Sequence, residues 1–159
     1  MSGKAAGLQT QFFYCCPNTR GFSLHQDNFF VQTPFGKFAS VWCALTDTNH
    51  ENGGLIVYPG SHKEGLLPVR ELSCEETLIT KSFQTPNANN WECIVPSKYQ
   101  PICPSVPKGS ALFIHGHLVH GSNNNNSDQW RQVLLCTYVC SGEPFRPGRY
   151  AQRVEVALD

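Results

Sequence analysis

Phe22-Ser23-Leu24-His25-Gln26-Asp27-Asn28-Phe29-Phe30 is the stretch whose reading decides both fold and chemistry. His25 and Asp27 stand at i and i+2 within a run of aromatic and apolar residues, and on a strand two such side chains leave from one face. An imidazole beside a carboxylate supplies two of the three ligands of a 2-His-1-carboxylate facial triad, the arrangement of non-haem Fe(II) sites, which leaves the opposite coordination positions open. A distant histidine has to complete the set. The segment His117-Leu118-Val119-His120-Gly121-Ser122 offers two, His120 and His117. A His-x-Asp triplet is common by chance, so its surroundings decide.

Composition narrows those surroundings. At 159 residues the chain is long enough for one domain with a proper core. Lys plus Arg and Asp plus Glu balance at 12 each, which removes the electrostatic case for nucleic acid or an anionic membrane as partner. Charged residues make up only 15% of the chain, so either large uncharged polar loops or a normally covered surface is expected. The cysteines, Cys15, Cys16, Cys43, Cys74, Cys93, Cys103, Cys136 and Cys140, include no Cys-x-x-Cys pair, and zinc-knuckle spacing is absent. The start has no apolar segment of signal-peptide length, and nowhere do about 18 apolar residues run together. A soluble, cytoplasmic protein with reduced thiols is expected.

In chain order, residues 1–8 read as a disordered, Gly-rich start and 9–159 as a single domain. Strand composition marks Gln9 to Cys16, the His25 segment, Phe38 to Asp47 and Leu55 to Tyr58. Asn52-Gly53 between the last two is the signature of a tight hairpin. Residues 63 to 100 are the least regular, with one helical turn expected near Ser73–Glu76. Ala111 to His115 and Trp130 to Cys140 read as further strands around the polar loop Asn123 to Asp128. Many short strands, Gly and Pro punctuation, and no long amphipathic helix predict an all-β sandwich or jelly roll.

With the segments laid out, the chain resembles the phytanoyl-CoA dioxygenase (PhyH-like) family of Fe(II)/2-oxoglutarate-dependent oxygenases. The resemblance rests on His25-Gln26-Asp27, on Trp42-Cys43-Ala44-Leu45 leading into Glu51-Asn52-Gly53-Gly54, and on Pro59-Gly60-Ser61-His62. Lys108-Gly109-Ser110-Ala111-Leu112-Phe113 and His120-Gly121-Ser122, with Arg131 beyond, complete it. It covers roughly residues 11 to 140. It implies a cupin-like double-stranded β-helix with His25, Asp27 and His120 as iron ligands, and 2-oxoglutarate bound through its remote carboxylate by Arg131 with help from Ser122. It further implies Trp42 as a co-substrate pocket residue, and Gln11, Phe13 and Tyr14, on the strand before the His25 segment, are expected to face the same pocket. Dioxygen is the remaining co-substrate, a small organic molecule the substrate. Related halogenases replace the carboxylate with a small residue, so Asp27 points to hydroxylation.

The residues bear this out as chemistry. An Arg fork matches a carboxylate bidentately and stays charged. Arg131 otherwise interrupts an apolar strand, the alternative being an edge arginine reaching solvent. His115 and His117, read as members of an alternating strand, face away from residues of His120's parity, but His117 stays open as the third ligand. His62 reads as a structural hydrogen bonder and Trp42 equally as core.

One departure matters. The resemblance implies on the order of a hundred more residues ahead of the His-x-Asp strand, forming helices that brace the larger sheet, and that helical part is expected to be missing here. An exposed apolar sheet face is therefore expected, with self-association through it. Two other functions stay open: a catalytically silent binding domain that keeps the ligands, and a cupin metalloenzyme that does not use 2-oxoglutarate and so leaves Arg131 and Ser122 without a role.

Overall fold

A computed structural model describes residues 3–78, 89–148 and 152–158. The stretch 63–100, irregular by sequence, therefore falls partly outside the described residues. Among the described residues nine strands and three helical turns run in the order β1 (Ala5–Cys15), α1 (Asp27–Val31), β2 (Phe38–Ala44), β3 (Leu55–Val57), a 3-10 turn (Ser61–Glu64), β4 (Val69–Glu71), α2 (Cys74–Thr77), β5 (Trp91–Cys93), β6 (Ala111–His115), β7 (His120–Ser122), β8 (Arg131–Cys140) and β9 (Val156–Ala157). The architecture is all-β, a double-stranded β-helix whose major sheet has the order β6-β2-β8-β1-β9. A smaller pair, β3-β7, faces it, and β4-β5 forms a side ribbon.

Alternation explains which residues the major sheet turns inward. On β2, Phe38, Ser40, Trp42 and Ala44 are buried and the residues between them are not. Trp42 and Ala44, with Ile114 of β6 and Val133 of β8, meet Leu55 of β3 and Val106 in one core between the sheets. A second cluster, Ala6, Leu8, Val31, Phe38 and Val139, closes the other end. The outer face is apolar and uncovered among the described residues: Phe113 is 80% exposed, and Phe12 and Tyr14 are also exposed. The register puts Phe113 and Cys136 on either side of Val41, and Leu134 opposite Phe12.

Three expectations are corrected. β1 begins at Ala5 rather than Gln9, so Ala5 to Leu8 are sheet, not a disordered start; their backbone pairs with β8, and Ala6 and Leu8 are core. Small residues read as loose in isolation, but across a sheet edge they pack closely. His25 and Asp27 do not share a regular strand. His25 makes an isolated bridge and Asp27 opens α1, where Gln26 ends the extended backbone at φ −120°, ψ 125°. Asn52-Gly53 is not a hairpin tip either, because β2 pairs with β6 and β8 while β3 pairs with β7. Gly53 has a φ of +88°, and a Cβ there would lie 3.3 Å from Arg131 Nε. The helical turn expected near Ser73–Glu76 is present as α2: the Ser73 hydroxyl accepts from Glu76 N–H and the Glu76 carboxylate accepts from Ser73 N–H, a capping box.

Candidate metal centre

His25 and His120 meet because their backbones do. His25 N–H donates to His120 O at 2.7 Å and His120 N–H to His25 O at 3.0 Å, a two-bond antiparallel bridge that adds His25 to the edge of the β3-β7 pair. The imidazole centroids are 4.3 Å apart. Each Nδ1 lies against the carbonyl two residues earlier, Ser23 O at 2.8 Å and Leu118 O at 2.9 Å. A carbonyl only accepts, so both rings carry their proton on Nδ1 and leave the Nε2 lone pair free, the tautomer metal ligation requires. Asp27 Oδ1 stands 3.6 Å from both Nε2 atoms. Its other oxygen accepts from Ser40 Oγ at 2.6 Å. The donor atoms of His25, Asp27 and His120 all lie within 4.8 Å of one another. Burial, followed by the charge of His120, pulls His25 down to about 4 despite the opposing Asp27 carboxylate, so the ring is neutral at ordinary pH.

The residues between these two candidate ligands and after them do the opposite job. Gln26 is fully buried, its Nε2 donating to Gly65 O and His117 O and its Oε1 accepting from Leu67 N–H. Asn28 caps Thr33 and meets His117 Nε2 at 3.2 Å. His117 is thus engaged with Asn28 and stands outside the cluster. The parity argument did not apply, since β6 ends at His115 and a turn intervenes before β7. His115 and His62 form a separate ring contact, with centroids 5.2 Å apart.

A cavity of about 330 Å³ opens over the three side chains, lined also by Gln11, Phe13, Trp42, Ser122 and Arg131. That size suits a small organic ligand. Arg131 opens β8, is only 3% exposed, and so is not an edge residue reaching solvent. Its Nη2 donates to Cys15 Sγ, and its Nε has no acceptor among the described residues. Burial pulls its pKa down, partly opposed by Cys15. Ser122 Oγ accepts from Phe22 N–H at 2.9 Å, which leaves its own O–H to donate. Trp42 serves in both capacities, core residue and cavity wall. Tyr14 does not line the cavity: it alternates with Phe13 and Cys15 and points from the outer face, 64% exposed. Gln11 and Tyr14 lie three positions apart, an odd offset, so one regular strand cannot turn both inward.

Two residues went unnoticed in the sequence. Ser40 is a polar residue in the inward row of an apolar strand, which is a usable signal. Asn125 is buried and its Nδ2 donates to Cys15 O, Cys16 O and Gln129 O, tying the end of β1 to the start of β8 beside Arg131. Nothing in the run of asparagines distinguishes it.

Comparison with known proteins agrees with this geometry. A sequence model of the family described as "Phytanoyl-CoA dioxygenase (PhyH)" matches residues 4–133. The chain is 34% identical over 129 residues to phytanoyl-CoA dioxygenase domain-containing protein 1 of Danio rerio, covering 79% of this chain and 42% of that protein. It is 31% identical to peroxisomal phytanoyl-CoA dioxygenase of Rattus norvegicus, over 74% of this chain and 33% of that one. The chain thus spans less than half the length of these relatives. Among solved structures, the non-haem monooxygenase ThoJ superimposes with a TM-score of 0.73 at 20% identity, over 100% of this chain and 55% of that one. The epimerase SnoN, solved with Fe3+, α-ketoglutarate and nogalamycin RO, gives 0.66 at 18% identity, over 98% and 62%. At such identities the likeness is one of fold.

Proposed function

The chain belongs to the phytanoyl-CoA dioxygenase family, and from that premise we propose that it is an Fe(II)- and 2-oxoglutarate-dependent dioxygenase that hydroxylates a small organic substrate. The observation that carries this reading is the convergence of His25, Asp27 and His120. Two imidazoles that present Nε2 to the same point and one carboxylate are the donor set that suits a ferrous ion with open positions. The residues fit the metal. His25 and His120 would hold it through Nε2 and Asp27 through Oδ1, with Ser40 fixing the carboxylate. Bound iron supplies dioxygen chemistry coupled to conversion of 2-oxoglutarate to succinate and carbon dioxide.

The chain's own residues orient and shield. Arg131 lines the same cavity, carries a buried guanidinium with no carboxylate partner among the described residues, and is the seat for the remote carboxylate of 2-oxoglutarate. The free O–H of Ser122 donates to the same group. Trp42 and Gln11 wall the space, and Phe13, Phe22 and Phe30 keep it apolar. Residues 9–159 act as one domain in this reading.

Anaerobic titration with Fe(II), followed by a succinate assay with and without candidate substrates, tests it. Iron uptake with substrate-stimulated succinate release is expected. In a second reading the chain is a silent binding domain that keeps the ligands, and iron uptake without any turnover of 2-oxoglutarate would select it. Self-association through the outer face of the major sheet belongs to the same proposal, supported by exposed Phe12, Tyr14 and Phe113. So does a cytoplasmic location, supported by eight free cysteines. Among the described residues no helix is long and apolar enough to cross a membrane.

A further inference from the structure

Arg153 belongs to the C-terminal segment, yet its side chain lines the cavity over the candidate ligands. Three of its five N–H groups are spoken for: Nε donates to Gln9 Oε1 at 3.1 Å, and Nη1 donates to Arg146 O at 3.0 Å and Phe30 O at 3.4 Å. Nη2, with two donors, has no acceptor among the described residues. No carboxylate pairs with this guanidinium there, and the nearest acid in sequence, Glu155, is occupied by Ser141 Oγ and Gly142 N–H. A half-buried Arg whose fork is held at one side and open at the other is a preorganised anion seat.

Arg131 does not make this seat redundant. Arg153 is fixed at Gln9, Arg131 bonds Cys15, and both Gln9 and Cys15 are on β1. Gln9 and Cys15 lie six positions apart on the strand, about 20 Å of backbone. Gln9 pairs with Thr137, and Thr137 pairs with Ser40, the partner of Asp27, so Arg153 sits at the metal end of the cavity.

Charge gives the chemistry of what binds there. Asp27 is the sole carboxylate among the lining residues. A divalent ion, Asp27, Arg131 and a 2-oxoglutarate dianion together sum to zero, which leaves the Arg153 charge uncompensated. An uncompensated charge in a partly enclosed cavity is costly and attracts a counter-charge. We propose that Arg153 anchors the substrate through an anionic oxyacid group, a carboxylate or a phosphate monoester, and so makes this chain selective for acidic small molecules. The proposal rests on the oxygenase reading for the identity of the ligand as substrate.

The test is binding, measured by calorimetry on the full chain loaded with Mn(II) and 2-oxoglutarate without oxygen. The probes are matched pairs: straight-chain monocarboxylates of graded length against their methyl esters, and alkyl phosphates against the corresponding alcohols. The expected result is a preference of at least about tenfold for the acid member. That preference falls to about unity in Arg153→Gln and survives in part in Arg153→Lys, while 2-oxoglutarate affinity holds in both. The carboxylate and phosphate pairs distinguish the two sources of the anion. Equal binding of acid and neutral members, no binding of any probe, or a preference that persists in Arg153→Gln overturns the proposal. So does loss of 2-oxoglutarate affinity in Arg153→Gln, which would make Arg153 a co-substrate residue. Failure of the wild-type chain to bind 2-oxoglutarate at all sinks the oxygenase reading instead. Retained 2-oxoglutarate binding also certifies that the variants are folded.

Discussion

His25 and His120 are held ring to ring by reciprocal backbone hydrogen bonds of 2.7 and 3.0 Å, so the spacing of their Nε2 atoms is set by main chain rather than by side-chain choice. Replacing either ring therefore removes a ligand without moving the other. His120→Gln is expected to abolish high-affinity binding of Mn(II), while the far-ultraviolet spectrum stays that of the folded chain. Titration followed by electron paramagnetic resonance checks this.

Ser40 acts one step further out. Its hydroxyl fixes Asp27 Oδ2 and leaves Oδ1 facing both histidines. Ser40→Ala should weaken metal binding by about 10–100-fold, the usual cost of losing an outer-shell partner. An unchanged affinity would mean that Asp27 needs no such restraint.

Arg131→Gln tests the co-substrate seat. Removing a buried guanidinium that pairs a ligand carboxylate costs on the order of 3–5 kcal/mol, or about two to four powers of ten in 2-oxoglutarate affinity. Metal binding should be untouched. A 2-oxoglutarate affinity that hardly changes would remove Arg131 from the site.

The pH dependence of the metal-free chain follows from His25. Its ordinary value is 6.5 and burial lowers it to about 4 in the folded state. Between these values the unfolded chain holds more protons, so stability is full above pH 6.5 and declines as pH falls toward 4. The loss is at most about 3 kcal/mol. Urea midpoints measured in chelator at pH 7.5 and 4.5 should differ, and His25→Asn should shrink the difference.

The uncovered outer face gives a prediction about assembly. Phe113, Phe12 and Tyr14 present apolar surface with no charged residue among them. Sedimentation velocity should show concentration-dependent association of the wild type, and Phe113→Glu should return it to monomer. A wild type that is monomeric at all concentrations removes self-association.

Much of this was readable from residues alone, and the failures share a cause. His25 and Asp27 stood out as an imidazole beside a carboxylate in an aromatic run, and His120 and Arg131 through the family resemblance, Arg131 also because a charge interrupts an apolar strand. The strands Ala111–His115 and Arg131–Cys140 were found because period-two burial is written into their side chains. What failed was anything decided by partners distant in the chain. Asn52-Gly53 has hairpin chemistry, but its flanking strands lie in different sheets, and Gly53 serves a close approach to Arg131. Ala5 to Gly7 look featureless until β8 is beside them. Tyr14 was misplaced although alternation with Gln11 already forbade it.

The four residues from His25 to Asn28 turn successively to the cavity, the scaffold, the cavity and the scaffold. Chemistry and framework are thus interleaved at single-residue resolution, and neither can be redesigned as a block. Deleting or inserting one residue here would exchange the two sets, sending an amide toward the ion and an acid toward the carbonyls of Gly65 and His117. Of all segments in this chain, it is the one where length is as unforgiving as identity.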